Sequence, residues 1–483
     1  MLAMGEQAPP ASGVQALWEL ERFLEAATLA RSGRSEIERG AERRGRELVR
    51  VTVQTQLDAL GDGDVGDAIA LACERPVRLA YKRVRSRRLV SIFGELKLTR
   101  MGYGAPGQRT VYPLDQELRL PGRSYSYECQ RRLLRAIVCA PFDEAIALIA
   151  CTVGIKVPKR AAEQLVREAA VHFEDFYAQR PAAEVKPARG EILVAAIDCK
   201  GIPMVKPERA LRVVRRGKGQ KANKKRMATV AAVHNQAPIA RTPQQVLDSL
   251  FCTEQQPERQ PRAQPSHKRV WASLTDDKDT FIADVAADMQ RRDPRRRRTW
   301  VIVTDGERAL QRRVVETFTD ITLVLDFLHA LDKLWKSAHA LYREGSPEAQ
   351  AFVYQRAKRL LEGQVDQVVK GLRLIVTKRN LTAHKAKTLL DTASYYQRNR
   401  ERMRYDRYLA NGWPIASGSV ERACKNLIRD RFERSGMRWT IDTAQALLRL
   451  RAVHLSDDFE DYWDHHVERD QQRLYPVWEV DPK

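Results

Sequence analysis

Two aspartates and a glutamate, far apart in the chain, are placed where acids can act together. Asp198 closes the run "EILVAAID", Asp305 closes "WVIVTD", and Glu421 lies near the start of "SGSVERACKNLI". An apolar run that ends in Asp reads as a strand buried on both faces and stopped by a turn. If the two strands are neighbours, their carboxylates face one another and repel unless a cation lies between them. Mg2+ is a hard ion held by one or two carboxylates together with water and phosphate oxygens. Two such ions ~3.5–4 Å apart activate a water or hydroxyl on one side of a phosphodiester and stabilise the leaving oxygen on the other. The second ion needs a third carboxylate, and Glu421 is the candidate. "SGS" is a helix-start signal with Ser417 or Ser419 as cap, so Glu421 falls in the first turn. Cys424, Leu427 and Ile428 continue its side of the helix toward the core. Each acid alone has a plainer reading, as a turn former or as a partner of the helix dipole. Their order on a first strand, a fourth strand and a late helix is the specific signal. The expected cofactor is two Mg2+ ions, with Mn2+ as a substitute.

The elements that must position these acids follow "AQRPAAEVKPARG" (178–190), a linker that marks the main boundary. The pattern beyond it predicts strands at "EILVAAID", "RMATVAAVHN" and "KRVWASL", then a helix at "DKDTFIADVAADMQRR". After these come the strand "WVIVTD", the helix "ERALQRRVVETF" and a fifth strand, "ITLVLDF". This β-β-β-α-β-α-β order predicts an α/β, ribonuclease-H-like catalytic core, antiparallel in its first three strands and parallel thereafter. Nucleotide-binding doubly wound folds also place Asp at strand ends, but they usually carry a glycine-rich phosphate turn, and neither GxGxxG nor a P-loop occurs here. The divisions read 1–80 (N-terminal helices), 81–123 (β hairpin meeting at Gly94), 124–180 (helical), 190–328 (first part of the core), 329–415 (helical insertion) and 416–483 (last core helices and tail).

Within 124–180, a turn at Gly154 and Pro158 at the next helix start give either a DNA-binding helix-turn-helix or a plain helical hairpin. In the first case Lys159, Arg160, Gln164 and Arg167 reach DNA. The net charge is +22, from 84 Lys and Arg against 62 Asp and Glu, and it is spread along the chain. Such an excess favours a polyanion partner through counterion release, with nucleic acid the first candidate, and the partner expected for the chain is double-stranded DNA. The run 206–226 holds ten Lys or Arg against one Glu, among them Arg215, Arg216, Lys218, Lys224 and Lys225. "RRDPRRRR" (291–298) leads into the fourth strand, and Arg422, Lys425, Arg429 and Arg431 share the helix of Glu421. These groups position a backbone without reading sequence. Arg438 and Trp439 either clamp a DNA end, with the indole stacked on a base, or Trp439 is core.

No apolar run approaches the ~20 residues that span a bilayer, and the N-terminus lacks the pattern of a secretory signal, so no membrane association is expected. Seven dispersed cysteines with no CxxC pair read as reduced thiols in the cytoplasm.

Several of these stretches together resemble a known group. "AAIDCKG" (195–201), "VTDGE" (303–307) and "GSVERACKNLIRDRFERSGMRW" (418–439) are similar to the motifs of DDE-type bacterial insertion-sequence transposases of the ISKra group. "LDFLHALDKLW" (325–335) resembles the D-x-x-H motif that those enzymes share with Mutator-like transposases. The resemblance is strong over about 190–465 and looser before it. It implies a ribonuclease-H-like domain with a helical insertion, Asp198, Asp305 and Glu421 as metal ligands, and Asp326 and His329 near the site. A histidine packed at a helix start is the plainer reading of His329. Many of the relatives carry cysteine pairs after the hairpin, whereas this chain has "MGYGAPGQRTVYPL". No zinc is expected, which leaves recognition of element ends by that part open. The reading is a transposase that cleaves phosphodiesters and joins 3′-OH ends to target DNA, as a homo-oligomer holding two ends, in the bacterial cytoplasm and on the nucleoid when bound. The alternatives are a structure-specific nuclease on the same scaffold and a non-catalytic DNA-binding protein derived from a transposase.

Overall fold

A computed structural model describes residues 13–72, 76–180, 190–205, 225–251, 264–418 and 423–481. The chain forms two compact units, one from residues 1–176 and 459–483, the other from 177–458.

In the first unit, α1 (Gly13–Leu29) and α2 (Arg34–Ala59) pack together. The short strands β1 (Ile69–Leu71) and β2 (Val77–Leu79) form a three-stranded antiparallel sheet with a strand at Trp478–Val480 from the other end of the chain. The hairpin is longer than the sequence pattern indicated, with β3 (Tyr81–Ser91) and β4 (Gly94–Gly104) paired along their full lengths. Ser91 faces Gly94 across the turn, where Gly94 takes φ +133°, so the turn residues are Ile92 and Phe93. The unit also contains a short helix at Pro113–Glu117, the helices α3 (Tyr127–Cys139), α4 (Phe142–Val153) and α5 (Lys159–Ala169), and, near the C-terminus, a helix at Phe459–Leu474. Gly154 ends α4 in the left-handed region and Pro158 immediately precedes α5. Lys159 pairs with Asp143 at 2.8 Å, Arg160 and Arg167 are exposed, and Gln164 is half-buried.

This unit contains a close pair of histidines. His466 is 4% exposed, and its Nδ1 lies 3.1 Å from Nδ1 of His172. Burial and the neighbouring His172 hold His466 down to about 4. A histidine depressed in the folded state stabilises the fold above its unfolded pKa of ~6.5, and that contribution is lost as pH falls toward the folded value. Stability measured by urea unfolding should therefore drop by about 2 kcal/mol from this residue between pH 7 and 5, at 1.36 kcal/mol per unit. The His466→Gln variant should lack that increment; an equal drop in the variant assigns the sensitivity elsewhere.

The second unit is built on a five-stranded mixed sheet. Its strands are β5 (Ile192–Pro203), β6 (Lys225–Gln236), β7 (Ser266–Ser273), β8 (Thr299–Thr304) and β9 (Thr322–Leu325), in the order β7-β6-β5-β8-β9. The first three are antiparallel, and β8 and β9 join in parallel. This is a mixed α/β arrangement compatible with a ribonuclease-H-like sheet. Helix α6 (Lys278–Arg292) connects β7 to β8, and α7 (Arg308–Thr317) connects β8 to β9. Residues Ile192 to Ile197 are at most 2% exposed, as an apolar run covered on both faces requires. A helix at Pro243–Phe251, between β6 and β7, has no counterpart in the elements expected from sequence.

Past β9 the described elements are helical up to Ala410: α8 (Phe327–Leu341), α9 (Pro347–Leu361), α10 (Val365–Lys378), α11 (Ala383–Asn399) and α12 (Tyr405–Ala410). The apolar stretch 349–376 is divided between α9 and α10 by Gly363 at φ +76°. Next come a π-helical turn at Cys424–Arg429 and α13 (Ile441–Leu455), which packs on β7. Among the described residues no helix is long and apolar enough to cross a membrane.

Candidate active site

Asp198 is not the last residue of its strand. β5 continues to Pro203 because β6 stays paired with it antiparallel, Asp198 opposite Val230 and Pro203 opposite Lys225. The parallel partner β8 stops earlier, its last pair being Thr304 with Ile197. Asp198 therefore sits at the step where β5 loses its β8 neighbour, and Asp305 is the residue that leaves β8 at the same step. The register, and not a shared strand end, brings the two acids together.

The turn after Asp305 is tightly held. Asp305 Oδ1 accepts a 2.9 Å hydrogen bond from the Glu307 backbone N–H, and the Tyr395 hydroxyl of α11 donates to the Asp305 carbonyl at 3.0 Å. Gly306 adopts φ +85°, and a Cβ there would lie 2.4 Å from the Tyr395 hydroxyl oxygen and 2.7 Å from Leu325 Cδ1. Gly306→Ala should thus destabilise the protein by about 2 kcal/mol or more, from left-handed strain plus steric displacement. Chemical denaturation measures the loss, and a change under 0.5 kcal/mol would show that the turn relaxes freely.

Burial pushes the Asp305 carboxyl above its usual range, and the charge of Asp198 adds to the rise. Asp198 Oδ1 accepts from the Cys199 N–H at 2.6 Å, and its Oδ2 accepts from the Cys424 thiol at 3.4 Å. Burial and the Asp198 charge raise the Cys424 thiol, which keeps it protonated as a donor. Glu307 receives Lys278 Nζ at 2.6 Å on both of its oxygens, and its Oε2 is 4.0 Å from Cys199 Sγ.

Asp326 is fully buried and organises the next layer. Its Oδ1 caps α8 through the Leu328 N–H at 2.7 Å, while its Oδ2 accepts from the backbone N–H of Ser417 at 2.8 Å and from the Ser417 hydroxyl. Burial raises this carboxyl, but His329 and the Ser417 donors outweigh that and hold it below its usual range. The His329 Nδ1 lies 3.8 Å from Asp326, too far for a hydrogen bond but close enough for charge attraction. The Asp326 carboxylate raises His329 to about 8, with Asp198 and Asp305 adding to the rise.

Glu421, Arg422, Arg215, Arg216, Lys218 and Lys224 lie outside the described residues. Cys424, Leu427 and Ile428 are buried, as their helical spacing predicts. Lys425 and Arg438 are exposed, and Lys225 pairs with Glu433 at 2.6 Å. Arg431 is corrected from a surface cation to a core one: it is 0% exposed, with its guanidinium 5.1 Å from the Trp439 ring. Trp439 is itself core. Its indole N–H donates to the Phe432 carbonyl at 3.1 Å, and its backbone pairs with Pro203 and Val205, so no ring face is open to stack on a base. Arg298, in the basic run before β8, is likewise buried and paired with Glu191 at 2.7 Å.

Among the described residues no three His, Cys, Asp or Glu side chains form a metal-holding group. The two aspartates nonetheless offer hard oxygen donors whose mutual repulsion a divalent cation would relieve, which is the donor chemistry that Mg2+ takes. Glu307, Lys278 and Tyr395 support the site without having been singled out in the sequence, and Ser417, read there as a helix cap, instead donates to Asp326. Glu307 alone carried a signal there, within "VTDGE".

No protein-family model and no curated protein matches this chain. Among solved structures, the Drosophila P element transposase strand transfer complex is similar over 72% of this chain and 82% of that one, at 9% identity and a TM-score of 0.25. A likeness that slight fixes neither fold nor chemistry.

Proposed function

We propose that the protein is a DDE-type DNA transposase with a ribonuclease-H-like catalytic core, acting on phosphodiesters with Mg2+ held by Asp198, Asp305 and Glu421. The observation that carries the reading is the β5–β8 register, which sets Asp198 and Asp305 side by side with the Asp305 carboxyl raised partly by the charge of its neighbour. The motifs at 195–201, 303–307 and 418–439 support the same assignment. Bound at these oxygens, two divalent ions would supply an activated water or hydroxyl and a stabilised leaving oxygen.

The chain's own residues do the remaining work. Asp198 and Asp305 concentrate negative charge at one point of the sheet. Tyr395 and Gly306 fix the path of the Asp305 turn. Asp326 ties the start of α8 to Ser417, just before the segment that carries Glu421. The helices of 329–415 are read as the insertion between the fifth strand and the last acid. Exposed cations such as Lys425 and Arg438, with Lys159 and Arg160 on α5, position the DNA backbone without reading its sequence. Hydrolysis and strand transfer are the same in-line displacement with a different oxygen nucleophile, so one site serves both. Engaging two element ends at once calls for a homo-oligomer.

The test is strand cleavage and joining on a labelled duplex that carries the terminal repeats flanking the coding region. Cutting and joining with Mg2+, both abolished by chelation, are expected. Cutting without joining would make the protein a nuclease, and DNA binding with neither reaction would make it a non-catalytic binder.

A further inference from the structure

A cavity of about 490 Å3 opens at the far end of the sheet from the acids and is lined by residues of the second unit alone. On its wall, Asn235 pairs with Leu193, five residues before Asp198 on β5. At roughly 3.3 Å per residue, the cavity lies roughly 16 Å from the acids along the strand. It is therefore separate from the candidate active site, and its reading does not depend on that site.

Its walls are cationic. Arg180, Lys268, Arg269, Arg291, Arg292 and Arg298 line it, against Asp288, Asp457 and Asp458. Asp288 is 5% exposed and is shared by three guanidiniums, Arg269 and Arg292 at 2.7 Å and Arg291 at 3.4 Å. One carboxylate neutralises one of the three, which leaves excess positive charge in a confined space. Guanidinium edges present in-plane N–H donors that match phosphate oxygens.

The Arg269 guanidinium is fixed in advance, stacked 3.7 Å from the Tyr177 ring centroid and 4.3 Å from that of Trp271. With two rings this close, its hydrogen bonding is left to the in-plane edge. Nη1 on that edge goes to Asp288, while the buried Nε donates no hydrogen bond to any described residue. The Oδ1 of Asn235, a residue 4% exposed, accepts none. A buried donor and a buried acceptor left unpaired are each costly, by ~1–3 kcal/mol per group. The backbone is also irregular here. Three steps on β7, from Ser266 to Arg269, oppose two on β6, and His267 in that bulge takes φ +50°. Bulges of this kind re-aim side chains beside functional sites.

We propose that this cavity binds a hydroxyl-bearing phosphate ester, with the phosphate on the edges of Arg269, Arg291 and Arg292 and the hydroxyl donating to Asn235 Oδ1. The volume suits a sugar phosphate better than a bare ion, falling within the ~300–1,000 Å3 of small-ligand sites. The ester has two possible sources, a free sugar phosphate or the terminal sugar phosphate of a DNA strand.

Calorimetry on the full chain, without divalent ions, separates them. Two probes are titrated, ribose 5-phosphate and a short 5′-phosphorylated oligonucleotide, into wild type and into Arg291→Ala and Lys268→Ala. Arg291 has a side chain 38% exposed and Lys268 is half-buried, so both variants keep the core intact. Saturable binding of ribose 5-phosphate, weakened at least tenfold in both variants, is expected for the free ester. Tenfold weaker binding of the phosphorylated oligonucleotide in both variants, with no ribose 5-phosphate binding, assigns the cavity to a DNA terminus. Binding of neither probe, or binding unchanged in both variants, overturns the proposal. Omitting divalent ions keeps this result independent of the Asp198–Asp305 reading.

Discussion

Asp305→Asn should abolish strand cleavage and joining while leaving DNA binding intact. The substitution keeps the shape of the side chain and an oxygen that can still accept the Glu307 N–H, but it removes the charge that a divalent ion needs. A loss of roughly 10³-fold corresponds to ~4 kcal/mol of activation free energy, at 1.36 kcal/mol per decade. The same variant carries an opposite signature in the absence of metal. The Asp305 carboxyl is raised by burial and by Asp198, so the ionised group is disfavoured where it sits. Replacing it with a neutral amide relieves that cost, and the metal-free variant should melt at or above the wild-type temperature. Activity lost together with stability would instead mark Asp305 as a structural turn residue. Activity retained would remove it from the site altogether.

Asp326→Ala should strongly destabilise the second unit. The carboxylate is 0% exposed and serves two chain segments 91 residues apart, capping α8 and accepting from both the backbone and hydroxyl of Ser417. Loss of the cap costs about 1 kcal/mol, and the buried Ser417 donors left unpaired add about 1–3 kcal/mol, for a total of about 2–4 kcal/mol. Asp326→Asn retains a cap acceptor and should lose less than half of that. In the wild type His329 should titrate near 8 by NMR, and in Asp326→Asn it should move back toward ~6.5, the value of an unperturbed histidine. A loss below 1 kcal/mol for the alanine variant would mean that Ser417 finds other acceptors.

The sequence revealed more of the sheet than of its edges. Five runs rich in apolar residues located the five strands, most sharply the interior β5 and β8, because a strand covered on both faces leaves an unbroken apolar signature. The end of β5 was not legible. "CKGIP" looks like a turn, and what keeps it extended is its antiparallel pairing with β6, a non-local fact. Likewise nothing local indicates that Trp478–Val480 pairs with β1, some four hundred residues earlier. Charged residues misled for a related reason. Arg431 and Arg298 read as members of basic runs on the surface, yet one packs beside Trp439 and the other pairs with Glu191 inside the fold. Charge in a sequence does not say which cations have a buried partner. Asp198 and Asp305 were legible because each follows a long apolar run. The Asp326–Ser417 link was not, since it depends on how α8 enters the structure.

Whether Asp198, Asp305 and Glu421 hold a divalent ion is decided by iron-directed cleavage of the polypeptide. Fe2+ exchanged for Mg2+ in the full-length protein, with ascorbate and peroxide, generates hydroxyl radicals that cut the backbone close to the bound ion. Three sets of cuts are expected, around 198, 305 and 421, all suppressed by excess Mg2+ and absent in Asp305→Asn. Cuts confined elsewhere, or cuts at these positions that persist in the variant, would contradict the metal site.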